Sequence, residues 1–124
     1  MFLMVLDAAF TVLFYDLVIR VGGFSAACNR IKRLRVRHIR QGAGSLPDIC
    51  KAVGIIECVY YKRVRCLLRS AALVSLLRRR GFCADLVIAA RAAPFVSHAW
   101  VEVDDCVVND LPGYKQRLSE LARF

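Results

Sequence analysis

Nothing in this sequence restricts its fold more than the change that occurs at Gly81. Residues 64–81, VRCLLRSAALVSLLRRRG, are rich in Leu, Ala and Arg, and such residues favour helix. Arg78, Arg79 and Arg80 complement the negative end of the helix dipole, and Gly81 supplies the left-handed residue at which helices stop. Beyond it the pattern becomes FCADLVIAA (82–90), FVSHAWVEV (95–103) and CVVND (106–110), β-branched and aromatic runs separated by turn residues. A chain that is helical before 81 and strand-forming after it belongs to the α+β class, with helices packed on a small antiparallel sheet.

Upstream, residues 1–21, MFLMVLDAAFTVLFYDLVIRV, are long and apolar enough to resemble a membrane span. Asp7 and Asp16 interrupt them, and neither the positive region nor the small-residue cleavage site of a signal peptide is evident. They read as a buried or partner-facing helix without a transmembrane span, with peripheral membrane contact as the lesser alternative. Gly22 and Gly23 punctuate the chain, and 25–39 reads as a basic amphipathic helix that QGAGSLPD ends. Ser45 or Asp48, beside Pro47, can start a third helix reaching about Tyr60. The length of 124 residues suits one domain, with 1–60 as a helical part and 61–124 holding a further helix and the sheet.

Charge and cysteine usage narrow the function. The formal charge is +9, and six of the nineteen Lys and Arg fall in RIKRLRVRHIR (30–40), with a second cluster at 78–80. This density suits an acidic partner, whether nucleic acid, anionic lipid or acidic peptide; a solvated helix face is the plainer reading. Cys28, Cys50, Cys58, Cys66, Cys83 and Cys106 lie 8 to 23 residues apart without a CxxC or a paired His. That is neither zinc spacing nor a short secreted disulfide framework, so reduced thiols in the cytoplasm are expected, most of them buried. No phosphate loop is present, and no cofactor or metal is expected.

Cysteine catalysis needs a thiolate, an imidazole to exchange the proton, and a third group to orient that imidazole. Cys66, His98 and Asp110 offer these in order. Cys66 opens the 64–81 helix, whose free N–H groups and neighbouring Arg65 and Arg69 favour a thiolate, and its backbone N–H is a ready oxyanion donor. Tyr60 or Tyr61 is the candidate second donor. Whether His98 meets Asp110 depends on hairpin register. A two-residue turn at Asp104–Asp105 sets His98 opposite Leu111, whereas an odd-length loop or a bulge sets it opposite Asp110 and leaves Glu102 at the site rim. A pairing of His98 with Asp110 therefore predicts the second arrangement. His38, inside the basic run, reads as solvated.

RCLLRSAALVSLLRRRGFCADLVIAAR, followed by SHAWVEVDDCVVND, resembles the B proteins of lasso peptide biosynthesis, transglutaminase-like leader peptidases. The resemblance covers about residues 55–111 well and the upstream helices loosely. It implies a papain-like core with a Cys66–His98–Asp110 triad in a bacterial, cytoplasmic cysteine peptidase that frees the core peptide's N-terminus. The chain departs from the family's frequent Pro after the Cys and Gly in the hairpin turn, having Leu67 and Asp105. With only helices before Cys66 it resembles the standalone type. The partners implied are the precursor peptide, a separate leader-binding recognition-element protein and the ATP-dependent lasso cyclase, not nucleic acid. The rival readings are a transglutaminase-like acyltransferase and a non-catalytic basic binding module.

Overall fold

The computed structural model describes residues 2–36, 45–60, 66–92, 95–108 and 118–124. Among these residues three helices, α1 (Phe2–Arg33), α2 (Leu46–Val59) and α3 (Cys66–Arg79), precede four strands, β1 (Ala84–Ala92), β2 (Phe95–Val103), β3 (Cys106–Val107) and β4 (Ser119–Arg123). The strands form one antiparallel sheet in the order β3-β2-β1-β4. The α+β expectation holds, and β2 occupies the residues expected of it. The strand at 119–123 was not expected from the sequence, where SELAR lacks a β-rich run.

α3 is the central element. Its residues from Ser70 to Arg78 are all buried, as befits a helix covered on every side, by α1 and α2 on one flank and the sheet on the other. Ala84 and Leu86 of β1 and Ala99, Val101 and Val103 of β2 face this helical core, while Val87, Ala89 and Trp100 form a smaller cluster with Leu118 on the opposite face. Gly81 ends α3 as expected, at φ 91°; Phe82 N–H donates to Leu77 O at 3.0 Å and Gly81 N–H to Arg78 O at 3.2 Å, closing a Schellman motif. Ser45 caps α2, its Oγ accepting from Asp48 N–H at 3.3 Å.

The break expected at Gly22–Gly23 is present: Gly23, at φ 74° and ψ −167°, has a non-helical backbone and kinks α1 into two helical segments. The second segment stops at Arg33 rather than near Ile39. Arg78 explains the stop, because its guanidinium donates to Ile31 O at 2.6 Å and Leu34 O at 3.2 Å and so satisfies carbonyls at the helix end.

The 78–80 cluster is likewise not a surface for an acidic partner. Arg78 is buried and also donates to Ala84 O and Phe124 O, at 2.9 and 2.7 Å. Burial pulls its pKa below the ordinary guanidinium value, with Asp85 opposing. Arg79 and Arg80 each reach Asp7 at 3.0 Å. The acid that interrupts the apolar run at position 7 is therefore the counterion that clamps α1 to the end of α3. Asp16 is buried and accepts from Tyr60 Oη at 2.8 Å, joining α1 to α2.

All six cysteines are free, as expected, but most are not core filler: only Cys28 is buried, Cys50 and Cys66 are half-buried, and Cys58, Cys83 and Cys106 are exposed.

Candidate active site

Cys66 is the first residue of α3, where the N–H groups of the opening turn have no carbonyl partner within the helix, and no acid lies in that turn. Its side chain is half-buried against the helical core. One turn on, Ser70 Oγ, fully buried, donates to Ala99 O at 3.1 Å. This bond fixes the catalytic-helix candidate to β2 next to His98.

The register shows which side of β2 is involved. Val101 O accepts from Val108 N–H, on the β3 side, at 3.0 Å. Carbonyls two residues apart in a strand point the same way, so Ala99 O faces that same edge. β3 pairs only with Glu102 and Val103, so among the described residues the edge beyond Val101 carries no strand, and Ser70 takes its carbonyl instead. Ser70 thus ties the first turns of α3 to this edge of β2.

Alternation puts His98 on the face of Trp100 and Glu102, opposite Ala89, with its ring centroid 6.2 Å from that of Trp100. Cys66 packs against the helical core, whereas His98 lies on the opposite face of β2; both groups are half-buried.

The hairpin beside them differs from the odd-length loop. Asp104 and Asp105, at φ 53° and 63°, form a two-residue turn that pairs Val103 with Cys106 and Glu102 with Val107. Two left-handed residues make the turn whose twist matches the flanking strands, and Asp tolerates that conformation better than most. In an unbroken ladder this register would set position 110 opposite Ala99 rather than His98. The described strand ends at Val107, and Val108 lies in a bend. Asp110 lies outside the described residues, as do Tyr61, Arg65 and His38.

Three other expected roles change. Glu102 is not at a rim: it is buried, accepting from Trp100 Nε1 at 2.8 Å and from Arg123 Nη2 at 3.3 Å. Both Tyr60 donors are engaged, its hydroxyl by Asp16 and its N–H by Ile56 O at 2.9 Å, so Tyr60 is not a second oxyanion donor. Arg69 pairs with Glu57 at 3.3 Å, which offsets the charge it brings to the start of α3.

The residues missed by sequence reasoning are Ser70, which positions α3, and Arg123, which braces the His98 face through Glu102, Asp85 and Glu120. Glu120 above all holds the Arg123 pKa above its ordinary value, against the effect of burial and with Asp85 assisting. Ser70 was legible as a small hydroxyl residue one turn after Cys66 on the same helix face; nothing in SELAR marked Arg123. Among the described residues no three His, Cys, Asp or Glu side chains gather as a metal site would need.

A thiol at a helix start and an imidazole on the strand to which that helix is tied are residue types that acyl transfer by cysteine uses. The chain matches the Transglutaminase-like superfamily over residues 11–123. A curated relative, the microcin J25-processing protein McjB of Escherichia coli, is 34% identical over 99 residues, a match covering 77% of this chain and 43% of the relative. The chain thus spans less than half that relative's length. No solved structure matches it.

Proposed function

Given that the chain belongs to the transglutaminase-like superfamily, we propose that it is a cysteine peptidase of lasso peptide biosynthesis, acting in the bacterial cytoplasm to cleave the leader from a precursor peptide. The observation that carries this reading is Cys66 at the opening of α3, anchored through Ser70 to the strand edge beside His98. The similarity to a microcin-processing protein supports a precursor peptide as the substrate.

In this mechanism Cys66 Sγ attacks the carbonyl carbon at the leader–core junction while the Cys66 backbone N–H stabilises the developing oxyanion. His98 takes the thiol proton and gives it to the departing core nitrogen, leaving the leader as a thioester. Water, deprotonated by His98, then releases the leader acid and restores the thiol. Asp110 holds the imidazole tautomer, a role that rests on the family resemblance. General acid–base transfer of this kind contributes about 10²- to 10⁴-fold. The precursor is presented by a separate leader-binding protein, and the freed amine passes to an ATP-dependent cyclase.

The test is incubation of the chain with a precursor and a leader-binding partner, followed by weighing the products. A core peptide with a free amine and a leader carboxylic acid is the expected result. A leader joined to an added amine would identify an acyltransferase, and unchanged processing by Cys66→Ala would leave a binding role.

A further inference from the structure

The outward face of α1 takes no part in peptide hydrolysis. Leu3, Leu6, Phe10, Leu13 and Leu17 recur at steps of three and four and so share one side of the helix, with Val21 one turn further on. Phe10 is 69% exposed, Leu17 58% and Val21 81%. From Phe2 to Leu17 every exposed residue of α1 is apolar. The acids of this stretch are turned to the protein, Asp7 to Arg79 and Arg80, Asp16 to Tyr60. The first exposed charge is Arg20, and beyond the Gly23 kink the exposed charges, Arg30, Lys32, Arg33 and Arg35, are all cationic.

We infer that this face docks the chain peripherally on an anionic bilayer, with the apolar side chains of α1 at the boundary between headgroups and acyl chains and its basic end on the lipid phosphates. By length and composition alone α1 could cross a membrane, but Gly23 breaks it and the other side of its first segment is committed to the protein through buried Thr11, Val12, Tyr15 and Asp16, so that segment lies along the surface. A water-soluble helix pair carries charged positions beside its apolar seam. Here the neighbouring exposed positions are themselves apolar, Phe2 and Phe14 among them. An apolar stripe beside exposed charges that are all cationic complements a negatively charged lipid surface, which offers both an apolar interior and anionic headgroups.

Two hollows lie at the junction of the two regions. Phe10, Phe14 and Arg30 border one of about 270 Å³, beside the paired Asp7 and Arg79, and Asn29, Arg30, Arg33 and Leu34 border one of about 520 Å³, lined by no acid among the described residues. Arg30 borders both, its guanidinium 4.5 Å above the Phe14 ring, where apolar face and cationic end meet.

Co-sedimentation of the full chain with vesicles of phosphatidylcholine alone, and of phosphatidylcholine mixed with phosphatidylglycerol, tests the inference. The chain pellets with the mixed vesicles and much less with the neutral ones. Phe10→Ser combined with Leu17→Ser weakens binding at least about tenfold, since two exposed apolar side chains no longer enter the bilayer. Lys32→Glu with Arg33→Glu abolishes the preference for anionic vesicles, each lost cation alone counting for about fivefold. This second variant decides the matter should the first lose parent helicity by circular dichroism. Cys66→Ala pellets like the parent, which separates this inference from the peptidase reading. A chain that stays in the supernatant with both vesicles, or serine variants that bind undiminished, would overturn it. So would a parent dimer that the serine variants dissociate, because the face would then belong to a second copy.

Discussion

Replacing Arg78 should be the most damaging change among the three consecutive arginines. Its guanidinium donates to carbonyls of four segments: Ile31 at the end of α1, Leu34 beyond it, Ala84 at the start of β1 and Phe124 after β4. Two of these bonds, to Ala84 and Ile31, are fully buried. A hydrogen bond to a charged group contributes about 1.5 to 3 kcal/mol, so the buried pair alone implies a loss of about 3 to 6 kcal/mol in Arg78→Met. That is a large share of the roughly 5 to 15 kcal/mol a domain possesses. Arg78→Lys keeps the charge, but a point-like ammonium cannot span four acceptors, so it should recover less than half of the loss. Urea unfolding followed by far-ultraviolet circular dichroism measures this as a fall in the midpoint at constant slope. Arg79→Ala and Arg80→Ala, whose pairs with Asp7 are partly exposed, should each cost under about 1 kcal/mol. The reasoning fails if Arg78→Met costs under about 1 kcal/mol, or if the three variants are indistinguishable.

Ser70→Ala removes the tie between α3 and β2 and should cost about 1 kcal/mol of stability; if the tie positions Cys66, kcat falls while KM holds, as steady-state kinetics would show. Glu102→Gln takes the charge from the buried carboxylate between Trp100 and Arg123, costing about 1 to 3 kcal/mol and shifting Trp100 emission; parent-like emission and unfolding would count against this network. Stability should also depend on alkaline pH. Burial raises the pKa values of Cys28 and Cys50 above 9.0 and that of Tyr15 above 10.0, so each group must bind its proton more tightly when folded. Their contribution is complete below the unfolded values and is lost as pH rises through the folded ones. Unfolding midpoints should therefore fall above pH 9.0, and less steeply in a Cys28→Ala, Cys50→Ala, Tyr15→Phe chain; parallel profiles would refute the assignment.

Much of the architecture was legible because its signals are local. The stop at Gly81, the Ser45 cap and the full extent of β2 each follow from a few adjacent residues. What the sequence concealed depends on partners distant along the chain. Arg78, Arg79 and Arg80 are indistinguishable as letters; only the helix phase turns Arg78 inward to collect carbonyls while its neighbours meet Asp7. Glu102 resembled a surface acid until Arg123, twenty-one residues later, came to lie beside it through β4. The Asp-Asp turn was ambiguous because a left-handed pair of that composition competes with longer loops, and here the two-residue form won. In the site, residue types and order pointed to Cys66 and His98. The tie between α3 and β2 through Ser70 and Ala99 needed the sheet, because it joins residues twenty-nine positions apart.

The most direct test of the peptidase account is the mass of the protein during turnover. Acid quenching of the chain with precursor and leader-binding partner, followed by intact mass spectrometry and peptide mapping, should reveal a leader-sized adduct on the peptide that contains Cys66. The adduct should be labile to hydroxylamine, as a thioester is, and absent from Cys66→Ala, which should not cleave the precursor. Precursor cleaved at the parent rate by Cys66→Ala, with no adduct on the parent chain, would contradict the account.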